Sequence, residues 1–390
     1  MRNFVNSRAS SLQPSGIRKF FDIVSKMEGA ISLGVGEPDF ITPWNIRDTA
    51  IRSLQRGYTQ YTGNRGLPEL CSLISRYLKE RFGVEYPPER TIVTVGASEA
   101  IDLALRAVCD VGDEILVPEP SYVSYSPAVT LAGGIPVALK CTAQNDFILT
   151  PEVIERAVTP KTKALILAYP NNPTGAVMTK EQLEALIPVI EKHDLLVISD
   201  EIYAELTYTG SHVSIASLGN MRERTVLING FSKAFAMTGW RVGFVCAPPE
   251  IDAAMFKIHQ YTILCAPQVS QRAAVCALKD GFADGFSTVE DMRAEYCRRG
   301  RFLVNAFNSL GLKCFQPKGA FYVFPSVEAT GLNGEEFANA LLEKYKVAVV
   351  PGNAFGAAGE KHIRCSYATS MQNLTAAIER ITDFVEEMKK

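Results

Sequence analysis

The sequence is poor in histidine and tryptophan, with four and two among 390 residues. The histidines stand far apart, at His193, His212, His259 and His362, so no imidazole cluster suggests a metal centre. No two cysteines have the C-x-x-C spacing, and the nine present form an odd number scattered from Cys71 to Cys365, several in apolar runs. That pattern argues against a disulfide frame and a zinc site, and points to reduced thiols in a cytoplasmic protein. No uninterrupted apolar stretch reaches ~18 residues, and the polar start from Met1 to Arg18 has no apolar centre, so neither a membrane span nor a signal peptide is expected. Charge of one sign is not in excess either: 40 Lys and Arg face 42 Asp and Glu, a net charge of −2. A nucleic-acid partner is therefore not expected, although one local anion site fits a near-neutral total. Low-complexity tracts and solenoid repeats are missing as well.

What is present is an ordinary globular composition, 47% hydrophobic and 21% charged, over a length that suits two to three domains. Short β-branched runs recur at Thr91–Val95, Glu114–Val117, Ile135–Leu139, Ala164–Leu167, Leu195–Ser199, Thr225–Ile228 and Val242–Cys246. Between them lie helical patterns at Ser98–Val108, Val123–Leu131 and Lys180–Lys192, the last opened by a Thr179/Gln182 capping box and carrying Leu183, Leu186, Ile187 and Ile190 on one stripe. The alternation predicts an α/β fold: a mostly parallel, seven-stranded sheet flanked by helices. Strand-like Phe321–Phe324, Val347–Val349 and Ile363–Ser366, with helical Glu335–Leu342 and Leu374–Met388, predict a second, smaller α+β domain. The expected division is a large domain over 46–285 and a small one over 286–390, with residues 1–45 packing against the small domain.

Ligands of open α/β sheets bind beyond the carboxyl ends of the strands, and it is there that several small, polar and charged residues stand. Gly96-Ala97-Ser98 follows the first strand and opens a helix, where small residues leave N–H groups facing an anion. Tyr122 follows the second and can stack on a flat ring; Asn172 sits in the Tyr169–Gly175 loop, where its amide can meet a ligand. Asp200 directly follows Leu195–Ser199 and, as a carboxylate after so apolar a run, needs a partner. Lys233 lies in a loop of small and apolar residues, Asn229-Gly230-Phe231-Ser232-Lys233, where burial would favour the neutral, nucleophilic amine. Arg241 follows closely. Each residue alone has an ordinary explanation: a tight turn, a core aromatic, a salt bridge, a surface lysine. Together they match the groups of a phosphorylated pyridine aldehyde, and pyridoxal phosphate enzymes use a Lys Schiff base with an acidic or basic partner at the ring nitrogen.

At this point the sequence resembles the class I and II aminotransferases, fold type I pyridoxal phosphate enzymes, over nearly its whole length. The resemblance rests on Gly36-Glu37-Pro38-Asp39-Phe40, Asn172-Pro173-Thr174-Gly175, Ser199-Asp200-Glu201-Ile202-Tyr203, Ser232-Lys233 with Met237-Thr238-Gly239-Trp240-Arg241-Val242-Gly243, and Arg364-Cys365-Ser366-Tyr367-Ala368. It implies that Lys233 bears pyridoxal 5′-phosphate and moves the substrate α-proton. Asp200 would hold the pyridine nitrogen protonated, and Asn172 and Tyr203 would bond the ring oxygen. Tyr122 would stack on the ring, and Gly96, Ala97, Ser98, Ser232 and Arg241 would hold the phosphate. Tyr61, in Tyr61-Thr62-Gly63-Asn64-Arg65-Gly66, would reach the phosphate of a neighbouring subunit, implying a homodimer with shared sites. Arg364 would bind the substrate carboxylate with its bidentate fork, assisted by Gly36 and Asn172. One departure stands out: Gly230 occupies the place of a serine that binds phosphate in some members.

The implied activity is a ping-pong transfer of an amino group from an L-amino acid to a 2-oxo acid such as 2-oxoglutarate. Gly16–Phe20, His259-Gln260-Tyr261 and Gly319-Ala320-Phe321-Tyr322 are similar to a bacterial subgroup acting on aspartate, aromatic amino acids or N-acetyl-diaminopimelate. Arg18 is a candidate for a second cation in the side-chain pocket. A C–S lyase would use the same residues. A non-enzymatic regulator on this scaffold would carry an added DNA-binding domain, for which the ~30 residues before Ile31 are too few.

Overall fold

The computed structural model describes residues 2, 4–14 and 27–388; Arg18 and the Gly16–Phe20 motif lie outside the described residues. Its centre is a seven-stranded sheet of Thr91–Thr94 (β2), Glu114–Glu119 (β3), Ile135–Lys140 (β4), Thr162–Leu167 (β5), Leu196–Asp200 (β6), Thr225–Gly230 (β7) and Gly243–Cys246 (β8), after a short β1 at Ile31–Ser32. The strand order is β2-β8-β7-β6-β5-β3-β4, and only β8 runs antiparallel to its neighbours.

Both faces of the sheet are covered along its other strands, which explains their apolar runs, whereas the edge strand β4 stays partly exposed. The side chains alternate between the two faces. Ile115, Val117, Ala164, Ile166, Ile198, Val226, Ile228 and Val245 pack on one face with the Gly96–Val108 helix. Leu116, Leu165, Leu167 and Val197 pack on the other with the Lys180–Lys192 helix, while Val93, Leu227 and Phe244 meet the Pro68–Phe82 and Gln268–Asp284 helices. The Thr179 capping box forms as expected: the Gln182 N–H donates to the Thr179 hydroxyl oxygen, and the Gln182 side-chain oxygen accepts from the Thr179 N–H.

A separate core gathers Leu33 with Tyr296, Phe307, Phe321, Phe337, Ile363, Leu374 and Phe384. Here the expected Val347–Val349 strand is split. Val347–Ala348 (β10) pairs parallel with β1, and Val350–Pro351 (β11) pairs antiparallel with Ile363–Ser366 (β12), which also pairs with Tyr322–Val323 (β9). The chain changes partners at Val349, a switch that period-two patterning cannot signal. The 23-residue helix Ser287–Ser309 spans two cores, with Val289 in one and Met292 onward in the other.

Two boundaries bear on the site. The helix after β2 starts at Gly96, two residues before the expected Ser98, because the Glu99 carboxylate turns back to accept the Val95 N–H at 2.5 Å. The helix after β3 starts at Tyr125, two residues later than expected, leaving Tyr122 and Val123 in the preceding turn.

Candidate active site

The carboxyl ends of β2, β3, β5, β6 and β7 open into a cavity of about 530 Å³, closed from the other side by Gly36, Tyr322 and Arg364. Ala97, Ser98, Tyr122, Asn172, Asp200, Tyr203, Ser232, Lys233 and Arg241 all line it. Two expected site residues do not. Gly96 lies behind the wall, where its missing side chain makes room for Arg241: a Cβ there would come within 2.7 Å of Nη2. Tyr61 is 79% exposed on the outer surface, away from this protomer's cavity.

Lys233 follows β7 in a tight loop that ends with Arg241 at φ +51°. Its Nζ donates to the Gly36 carbonyl at 2.8 Å. Burial is the main cause that draws its amine from 10.5 down to about 8; Glu37 opposes this, while Arg364 and Arg241 add to it. Asp200 ends β6 and is 5% exposed. Burial pushes its carboxyl up to about 6, against the Tyr125 hydroxyl, which donates to it at 2.8 Å, and the Ile202 N–H, which donates at 3.2 Å. The Tyr203 phenol is held well above its ordinary range, chiefly by burial, so it stays a donor. Its hydroxyl lies 2.8 Å from that of Tyr322.

Two successive asparagines in the β5 loop divide the work. Asn171 is buried in the loop, accepting from the Thr174 N–H and hydroxyl. Asn172 faces the cavity and accepts from Arg364 Nη1 at 3.0 Å. Arg364 is 2% exposed on β12 and donates also to the Gly34 carbonyl at 2.5 Å. Among the described residues no carboxylate pairs with it, and its Nε has no partner. Its guanidinium carbon stands 4.5 Å over the Tyr322 ring and 4.8 Å over Phe355. Burial lowers its hold on its proton.

At the opposite end, the first turn of the Gly96–Val108 helix faces Arg241, whose Nη1 donates to the Thr238 carbonyl at 3.0 Å. Helix N–H groups without intrahelical partners and a guanidinium suit a phosphate. Gly243 on β8 allows this approach, since a Cβ there would lie 2.7 Å from the Ala97 nitrogen. Gly230 is equally constrained. A side chain there would begin 2.9 Å from Gly243 Cα and 3.2 Å from the Val242 carbonyl, so the serine of some relatives has no room without a shift of β8.

Several residues of this site escaped sequence reasoning. Tyr125 and Tyr322 line the cavity, as do Glu37, Ile101 and Thr238. Beneath it, His259 is fully buried: Nδ1 lies 2.6 Å from Glu99 and Nε2 2.9 Å from the Asn64 carbonyl. The same Glu99 accepts from Val95, so the start of the helix and the loop bearing Tyr61 are tied together. Tyr125 had only its spacing three residues after Tyr122 to mark it, whereas Glu37, Thr238, His259 and Tyr322 stood inside motifs of the resemblance with no role of their own assigned.

Residues 28–381 match the family model for aminotransferase class I and II. The chain is 46% identical to an aspartate aminotransferase of Pyrococcus abyssi, covering 99% of both chains. It is 44% identical to an aromatic-amino-acid aminotransferase of Thermococcus litoralis, again over 99% of both. The structure superposes on an aspartate aminotransferase of Thermus thermophilus solved with maleate at a TM-score of 0.93, with 39% identity, covering 98% of this chain and 100% of that one. Such a match over almost every residue, on the same doubly covered sheet, means that the chain belongs to the class I and II aminotransferases, enzymes that depend on pyridoxal 5′-phosphate.

Proposed function

We propose that this cavity takes the amino group of an L-amino acid of the aspartate, aromatic or N-acetyl-diaminopimelate type and passes it to a 2-oxo acid such as 2-oxoglutarate, with Arg364 as the carboxylate anchor for both. The observation that carries this reading is Arg364 itself: a buried cation with a free Nε and no carboxylate partner among the described residues, facing the same cavity as a lysine drawn down to about 8. A charge buried at that cost is satisfied when a substrate carboxylate meets its fork.

The donor set fits pyridoxal phosphate. Asp200 is a carboxyl that burial holds at about 6, and a protonated ring nitrogen would give it a close cationic partner. Arg241, Ser232 and the Ala97–Ser98 turn suit the phosphate, Asn172 and Tyr203 the ring oxygen, and Tyr122 the ring face. When bound, the cofactor supplies an electron-poor ring that accepts the electrons left as the substrate loses its α-proton. The protein residues do the rest. Arg364 and Asn172 fix the substrate carboxylate. The Lys233 amine, neutral in a good fraction of molecules near pH 8, takes the α-proton and later returns it on the other side of the transfer. Asp200, held in place by Tyr125 and Ile202, would keep its negative charge as the partner of the protonated ring nitrogen.

We also propose a cytoplasmic homodimer. The exposed Tyr61, Tyr261, Ile263 and Leu264 support it, being unusual apolar surface on the 61–66 segment and the end of the Pro249–Thr262 helix, which Asn64 joins by donating to the Leu264 carbonyl. Among the described residues no helix is long and apolar enough to cross a membrane. The domain division proposed is 46–285 against 286–390, with 1–45 belonging to the smaller unit, a reading supported by the pairing of β1 with β10.

An amino-donor panel tests the reading: aspartate, aromatic amino acids and N-acetyl-diaminopimelate, each against 2-oxoglutarate, oxaloacetate and pyruvate. Stoichiometric formation of a new amino acid and a new 2-oxo acid is expected. Release of pyruvate and ammonia from a sulfur amino acid, without transfer, would instead identify a C–S lyase.

A further inference from the structure

Tyr322 begins β9, is 1% exposed and touches three parts of the cavity at once. Its hydroxyl stands 2.8 Å from the Tyr203 hydroxyl. The same hydroxyl rests on Gly36, where a Cβ would come within 2.7 Å, so only glycine permits this approach. Its ring lies under the Arg364 guanidinium at 4.5 Å. We propose that Tyr322 is a positioning residue with two separable roles: its hydroxyl donates to Tyr203 and strengthens that phenol as a donor to the ligand, while its ring seats Arg364. This rests on the reading that Tyr203 bonds the ring oxygen of the cofactor.

The assignment of donor follows from proton counting. Each phenol has one proton, and the pair shares one hydrogen bond. No other acceptor for the Tyr322 hydroxyl is found among the described residues. If Tyr203 donated to Tyr322, it would present only a lone pair to a cavity in which the ring oxygen needs a donor. With Tyr322 donating, the Tyr203 proton is left for that oxygen, and accepting one bond makes Tyr203 a better donor in the next. The ring acts independently, since a cation over an aromatic face needs no hydroxyl. Phenylalanine therefore keeps one role and deletes the other.

The test is a pH titration of the visible absorption of the cofactor-loaded protein, in the wild type, Tyr203→Phe, Tyr322→Phe and the double variant. A donor on the ring oxygen favours the form in which that oxygen is negative, and so lowers the midpoint. Tyr203→Phe is expected to raise it. Tyr322→Phe should raise it in the same direction by about three- to ten-fold in proton affinity, and the double variant should match Tyr203→Phe alone. Amino acid KM should stay within about three-fold in Tyr322→Phe, yet rise at least ~10-fold in Tyr322→Leu, which lacks the ring under Arg364. A wild-type midpoint in Tyr322→Phe alongside a shifted Tyr203→Phe, or shifts that simply add, overturns the proposal and leaves the role of Tyr203 intact. A Tyr203→Phe midpoint equal to wild type overturns the role of Tyr203 and this proposal with it.

Discussion

Replacing Arg364 with leucine separates binding from folding. The guanidinium donates to Asn172 and Gly34 and leaves Nε free, so a substrate carboxylate can take two charge-assisted bonds on the fork. Each is worth about 1.5–3 kcal/mol, and two together about 3–6 kcal/mol. At 1.4 kcal/mol per decade, kcat/KM for amino acids should fall by roughly 10²- to 10⁴-fold. Folding should respond differently. The leucine removes a buried cation that has no carboxylate partner, which favours the folded state. It also leaves the Gly34 carbonyl and the Asn172 side-chain oxygen without donors, at about 1–3 kcal/mol each. These effects oppose one another, so the denaturation midpoint of the cofactor-free protein should move little. Arg364→Lys keeps the charge and loses the fork, so its loss should be about one bond, roughly 10- to 100-fold. The assay is single-turnover transfer from an amino acid and from a primary amine with no carboxylate. The amine reaction should be insensitive to both substitutions. Equal losses for amine and amino acid would refute the assignment, as would a loss below tenfold in Arg364→Leu.

Asp200→Asn should keep the cofactor but slow proton removal by at least ~10-fold, since a charge-assisted bond to the ring nitrogen is lost; stopped-flow absorbance reads it. In the cofactor-free protein the same change has the opposite sign. The folded-state pKa is raised from 3.8 to about 6, so the stability this acid contributes is full below ~4 and lost as pH rises through about 6. At pH 8 Asp200→Asn should therefore be more stable than the wild type by on the order of 1–3 kcal/mol, and the gap should close near pH 4; urea melts at both pH values check it. Mixing inactive Tyr61→Ala and Lys233→Ala proteins should restore activity, because a mixed dimer has one site with both residues; no recovery after subunit exchange would refute shared sites. Thr179→Ala should cost about 1 kcal/mol by removing the helix cap, measured as a lowered urea midpoint with unchanged kinetics.

The sheet was legible because its strands bury both faces, and buried parallel strands announce themselves as apolar runs. The cavity followed from asking what comes next after each strand: Ser98, Asn172, Asp200 and Lys233 all stand at such places, and all line it. Arg364 needed the family resemblance, since nothing in Ile-Arg-Cys-Ser marks an arginine as buried. What stayed hidden was contact across distance. Tyr125 meets Asp200 from 75 residues away, Tyr203 meets Tyr322 from 119, and His259 reaches Glu99 from 160. The split at Val349 was hidden for a related reason: one apolar run served two sheets, and only the partners on either side distinguish its halves.

The central claim is that Lys233 bears the cofactor. The direct measurement is borohydride reduction of the cofactor-loaded protein, digestion, and mass-spectrometric location of the modified lysine. A single modified residue at Lys233, absent in Lys233→Ala, is the predicted result. Modification at another lysine, or none in a wild-type protein incubated with pyridoxal phosphate, would contradict the account.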